Sequence, residues 1–293
     1  MNNLISNLIV KIKRKIYVFY IRNIRKFIRL TSYPYISGDT FRSFADFKLD
    51  EISSFSINKV AEGNVIFIKT DFLSNFLEEN FLFKNNLKII THNSDLPVNE
   101  SVLDFTKNLF FFSQNVSFEI KNDSKIRQIP IGLENRSYLK NGRLSDFKQK
   151  INLENKSTNI LCSFNFDTNK SRIDVFNTVK DHNLTVFCRY RDHKNFINEL
   201  SKFQFCFCPE GNGYDTHRFW ESLMVGTMPI VKQSNFINNF FEHNIPMLVL
   251  KNWEDIYDFD SKALDSIYNQ NIETLKESNY LNAEYWFNYI DSF

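Results

Sequence analysis

The chain has 293 residues, 43% of them hydrophobic and 24% charged, with a net charge of only +2. That balance excludes a disordered chain, a collagen-like repeat and a protein that holds nucleic acid by bulk charge. The length admits two medium domains, each with a sizeable core.

The first segment is the least balanced. Lys11, Lys13, Arg14, Lys15, Arg22, Arg25, Lys26 and Arg29 precede the first acid, Asp39. Wound at about 100° per residue, all of these but Lys13 fall on one side of a helix. Ile5, Leu8, Ile9, Ile12, Ile16, Phe19, Tyr20, Phe27 and Leu30 fall mainly on the other. The pattern predicts a basic amphipathic helix over 1–31 that lies on an anionic membrane surface. The expected location is cytoplasmic, peripheral on the inner face of the cell membrane. No run reaches the ~18 apolar residues of a transmembrane helix, and no small-residue cleavage site follows.

From residue 33 the chain alternates. "YPYISG", "NVIFIK", "LKIITHNSD", "LFFFSQNV" and "IRQIPIG" read as strands, and "DFLSNFLEENFLF" and "ESVLDFTKN" as helices. Asp39 in "ISGDTFR" reads as a helix N-cap or as a base. His92 and Asp95, at the end of "THNSD", are further candidates for the general base of a transfer reaction. The polar stretch 140–159 reads as a linker with a short helix. Alternation then resumes with "ILCSFNF", a helix near 171–182, "LTVFCRY", a helix near 194–203 and "FQFCFCPEG". Short apolar runs separated by helices argue for parallel sheets covered on both faces. The expected fold class is α/β, with two Rossmann-like doubly wound domains at 32–150 and 151–293 and a cleft between them.

The four cysteines lie in strand-like runs without metal-site spacing and are expected to be buried thiols. His182, His193 and His243 fall at helix ends and are expected to be solvated. "DFD", Asp258 to Asp260, comes too late for a metal role, so no metal or other cofactor is expected.

Three of the 7 glycines, Gly211, Gly213 and Gly226, fall in "CPEGNGYDTHRFWESLMVGTMPIV", residues 208–231. The pattern predicts a strand, a glycine-rich loop, a helix starting at Asp215 or Thr216, and a C-terminal cap at Gly226. Such a loop aims backbone N–H groups at the mouth of a sheet, where anions bind. Its glycines allow a ligand to come close to the backbone. Asp215, Arg218 and Glu221 are spaced three apart, on one polar side of the helix. Carboxylates there can accept bonds from sugar or ribose hydroxyls, and an arginine can hold phosphate bidentately.

The same string resembles the nucleotide-sugar-binding segment of exostosin-like glycosyltransferases. The matching residues are Cys208, Pro209, Gly211, Gly213, Asp215, Arg218, Phe219, Trp220, Glu221, Gly226, Pro229 and Ile230. "ITHNSDLPV", "FFFSQNV" and "IPIGLENR" look like segments of small bacterial relatives. Glu210 departs from the pattern, where many relatives carry a basic or neutral residue. The resemblance implies the GT-B architecture, with the acceptor in the first domain and the donor in the second. It implies that Glu221 and Asp215 bond the donor ribose or sugar, that Arg218 sits by the pyrophosphate, and that Gly211, Asn212 and Gly213 line the donor. Arg172, in "NFDTNKSR", is the expected phosphate ligand after the first strand of the second domain. The implied reaction moves a sugar from a nucleotide-sugar to a surface glycan such as a lipopolysaccharide or capsule chain, free or lipid-linked. Two alternatives are a fucosyltransferase-type GT-B enzyme and a non-catalytic glycan- or nucleotide-binding module of the same fold.

Overall fold

The computed structural model describes residues 2–79, 86–106, 109–148, 153–190 and 192–293, with side chains described from Ile9 onward apart from Val10. Two five-stranded sheets organise them, and every strand pair is parallel.

The first sheet contains β1 (Phe47–Leu49), β2 (Val65–Lys69), β3 (Leu87–His92), β4 (Leu109–Ser113) and β5 (Ile126–Gln128), ordered β1-β2-β3-β4-β5. Its apolar runs are continuous because both faces are covered. Phe67, Ile90 and Phe112 are register partners and share one face with Phe41 of α2 (Gly38–Phe44). Ile66, Ile89 and Phe111 form the next row and turn to the opposite face, under Phe76 and Leu77 of α3 (Leu73–Glu79). Helix α2 is capped by Ser37, whose hydroxyl accepts the Thr40 N–H at 3.2 Å, and not by Asp39.

The second sheet contains β6 (Ser157–Cys162), β7 (Thr185–Phe187), β8 (Phe203–Phe207), β9 (Met228–Lys232) and β10 (Leu248–Leu250), ordered β7-β6-β8-β9-β10. Its connections carry α4 (Ser171–Val179), α5 (His193–Leu200), α6 (His217–Met224) and α7 (Asn235–Asn238). The strand order reverses between β6 and β8, which opens a crevice at the carboxyl ends of those strands. The first sheet runs in sequence order with no reversal, so the double winding expected of both halves is found in the second sheet, and "YPYISG", expected as a strand, makes isolated bridges at Tyr35 and Ser37 while the sheet begins at Phe47.

Helices α8 (Ser261–Gln270), α9 (Ile272–Glu277) and α10 (Ala283–Asp291) close the chain. Helix α10 returns to the first sheet. The Phe287 ring stacks on Phe44 at 4.2 Å, and the Ala283 N–H donates to Pro34 O at 2.7 Å.

The N-terminal segment forms α1 (Asn2–Phe19), a π turn (Tyr20–Ile24) and a 3-10 turn (Arg25–Phe27). The Tyr17 and Tyr20 hydroxyls donate to Tyr138 O and Ser137 O at 3.0 and 2.7 Å. Regular periodicity therefore ends at Phe19, and Arg29, expected on the basic helix side, turns inward. It meets Asp39 and Asp50 at 3.6 Å and Glu51 at 3.1 Å. The four cysteines are free, and Cys162, Cys206 and Cys208 are buried. Among the described residues no helix is long and apolar enough to cross a membrane.

Candidate active site

The loop after β8 has the predicted form. Gly211 N–H donates to Gly213 O at 3.0 Å, Thr216 stands at the N-cap, and α6 follows. Gly226 ends the helix at φ 68°, with the Gly226 and Thr227 N–H groups bonded to Leu223 O and Ser222 O at 2.9 Å each.

Gly211, Asn212 and Gly213 line the cleft described below, and Gly213 also makes room for a protein side chain. A Cβ on Gly213 would lie 2.5 Å from Asn115 Nδ2, a side chain of the first half, whereas a Cβ on Gly211 would meet Arg172 at 3.3 Å. Asn115 follows β4 at φ 56°, and its Oδ1 accepts the Asp215 N–H at 2.9 Å. The Asp215 carboxylate accepts the Ile131 N–H at 2.7 Å and the Trp220 Nε1–H at 2.9 Å. Asn212 adds a bond to Asp95 at 3.2 Å, and His217 Nδ1 lies 2.7 Å from Gly132 O. Gly213, Asp215 and His217 thus join the carboxyl edges of the two sheets. Burial pushes the Asp215 carboxyl up to about 7 despite those bonds.

Beside this junction lies a cleft of about 1090 Å³. Its walls come from residues after β3 and β5 on one side and after β6, β7 and β8 on the other, which places it at the switch point of the second sheet. Arg189, Arg218 and Lys194 bring positive charge to it, and Asp95, Glu134 and Glu221 bring negative charge. A second hollow of about 540 Å³, beneath Trp253 and Tyr214, shares Asp215 and Thr216 with the cleft wall.

The two arginines singled out from the sequence differ. Arg172 is buried and spent on backbone: it donates to Glu210 O at 2.7 Å, Asn165 O at 3.1 Å and Pro209 O at 3.2 Å. It clamps the glycine loop, and burial lowers its pKa to about 10. Arg218 lies over the Phe196 ring at 5.2 Å. It has no hydrogen-bond or ion-pair partner among the described residues, and its Nε is buried.

Glu221 is not on a solvated helix face. It is buried, with Oε1 2.9 Å from His193 Nε2, while His193 Nδ1 lies 2.9 Å from Asp146 Oδ2. His193, expected in solvent, has a side chain only 5% exposed. Burial opposes its charge, but the two carboxylates outweigh that and raise its pKa to about 8. Burial likewise opposes the Glu221 charge, and the His193 bond still holds its carboxyl below the usual range. The Glu134 carboxyl, nearby, is pushed upward by burial, and its Oε2 has no hydrogen-bond partner among the described residues. His182 and His243 are buried as well, 3.3 Å from Phe259 O and 2.9 Å from the Tyr285 hydroxyl.

Of the three candidate bases, Asp95 lines the cleft and is exposed. His92 is buried, its Nε2 3.0 Å from Pro130 O and its Nδ1 accepting the Asn93 N–H at 2.7 Å. Both ring nitrogens are occupied, and burial lowers its pKa to about 4. Asp39 is buried against Asn93 at 3.4 Å and Arg29 at 3.6 Å, and burial raises its carboxyl. Asp260 caps α8 through the Ala263 N–H at 2.8 Å.

Asn115, Asp146 and His193 carry no local sequence signal. Asn115 ends an apolar strand, Asp146 lies in the polar stretch 140–159, and their partners are far away in the chain. Compared with known proteins, the chain matches no family model and no curated protein.

Proposed function

We propose that the chain is a GT-B glycosyltransferase of the exostosin-like kind, working without a metal. It moves a sugar from a nucleotide-sugar to a glycan acceptor held by the first half. The observation that carries this reading is Arg218, an arginine in the cleft at the switch point of a parallel sheet, whose guanidinium has no hydrogen-bond or ion-pair partner among the described residues. A guanidinium so placed suits a diphosphate, and positive charge there stabilises the leaving nucleoside diphosphate. His193 and Asp146 keep Glu221 ionised and oriented, fit to accept a ribose or sugar hydroxyl. Asp95, on the opposite wall, is the group in reach of an acceptor hydroxyl and takes its proton as the glycosidic bond forms.

The test is a thermal-shift screen of nucleotide-sugars. A donor at about 100 times its dissociation constant adds roughly 2.7 kcal/mol to the wild type. Arg218→Ala is expected to lose that ligand-induced shift at the same concentration. No shift with any nucleotide-sugar, or an undiminished shift in the variant, overturns the reading.

A further inference from the structure

Among the described residues, α1 and the turns after it meet residues 137–140 through Tyr17, Tyr20 and Arg25. Tyr17 and Tyr20 bond to Tyr138 O and Ser137 O, Lys140 lies over the Tyr17 ring at 4.2 Å, and Arg25 over the Tyr138 ring at 4.1 Å. The described apolar side chains on one side of the helix remain exposed. Ile9, Ile12, Ile16 and Phe19 are 46%, 48%, 64% and 61% exposed. At 100° per residue the four occupy about 80° of arc, one continuous face. An isolated exposed leucine or isoleucine is ordinary, but a continuous apolar face on a helix marks a surface built to be covered.

The charges name the cover. Lys11, Lys13, Arg14, Lys15 and Arg22 are exposed and have no ion pair or hydrogen bond among the described residues. No acid precedes Asp39 to offset them. Arg25 and Arg29 are withdrawn from this set by Tyr138 and by the Asp39, Asp50 and Glu51 cluster. An apolar face flanked by free cations fits the boundary between acyl chains and anionic headgroups.

The anchoring residues give this placement a consequence. Tyr138 and Lys140 hold Tyr17 of α1, and together with Leu139 they line the cleft. Leu139 adds an exposed apolar side chain beside these anchors, at 44% exposure. We propose that α1 lies in the face of an anionic bilayer and sets the mouth of the cleft against it, so that the acceptor is taken from the lipid surface. The bilayer contact stands on the helix alone; the statement about the acceptor rests on the transferase reading.

The full chain is mixed with vesicles of phosphatidylcholine alone or with phosphatidylglycerol, and sedimented. Binding is expected with the anionic vesicles, to fall about tenfold in high salt, where such attraction is screened. The triple variant Ile12→Asp, Ile16→Asp, Phe19→Asp keeps Tyr17 and Tyr20 and is expected to lose binding. Its melting temperature and its response to nucleotide-sugars stay those of the wild type, which separates this proposal from the transferase reading. Hydrogen exchange with vesicles is expected to add protection over 9–27 and 136–140. Undiminished sedimentation of the triple variant, or none by the wild type, overturns the proposal. So does a dimer in solution that the triple variant abolishes, because a second copy then covers the face. Protection confined to 9–27 overturns the placement of the cleft mouth.

Discussion

His193 keeps its proton because two carboxylates share it. Its folded pKa of about 8 lies above the ordinary 6.5. The stabilisation is therefore complete below about pH 6.5 and is lost as pH rises through about 8. That displacement is worth about 2 kcal/mol. Denaturant unfolding at about pH 6 and about pH 9 is expected to show the loss in the wild type. His193→Gln is expected to abolish that pH dependence and to cost about 3–5 kcal/mol at the lower pH, since Asp146 and Glu221 then share a buried site unneutralised. An unchanged slope in the variant would assign the effect to other groups. Gly213 allows a second test. Gly213→Ala is expected to cost about 1–3 kcal/mol by pressing on Asn115, and Gly211→Ala clearly less. In an Asn115→Ala background the Gly213→Ala cost is expected to shrink towards zero. Simple additivity would refute the contact.

The elements follow from short-range pattern, and their roles from what they touch. The helix at 217–224 is legible because Thr216, the apolar Phe219 and Leu223, and Gly226 lie at the spacing of a cap, a core face and a terminator. The π turn at 20–24 is not; its Tyr20 bonds to the carbonyl of residue 137, far away in the chain. Helix α10 is another such case. Trp286 is fully buried against Phe240 and His243, while Phe287 stacks on Phe44 of α2 and Tyr289 meets Phe112 of the first sheet. Trp286→Ala is expected to cost about 3–5 kcal/mol, read from the midpoint of urea unfolding. Because α10 touches both halves, that loss should appear as one shifted transition. Two separate transitions in the wild type would contradict the coupling.

For the whole molecule, the reading as a GT-B transferase predicts where activity should fail. Asp95→Asn is expected to lower turnover by ~10² if it is the base, with nucleotide-sugar binding unchanged, because it stands on the acceptor wall. Normal turnover in that variant would move the base to Glu134, whose Oε2 has no hydrogen-bond partner among the described residues. Turnover is expected to persist in EDTA; loss on chelation and rescue by a divalent cation would bring metal into the reaction.

By itself the sequence determined the alternation that makes two parallel sheets, the strand–loop–helix at 203–224 and the polarity of the first thirty residues. These are properties of neighbours, set by side-chain periodicity, cap chemistry and glycine. Only the tertiary structure decided what the loop is for. Gly213 makes room for Asn115, Asp215 bonds to Ile131, and Glu221 is held by His193 and Asp146. Each of these joins groups from different stretches of the chain. No local period records such pairs, because they exist once burial has removed water as the competing partner.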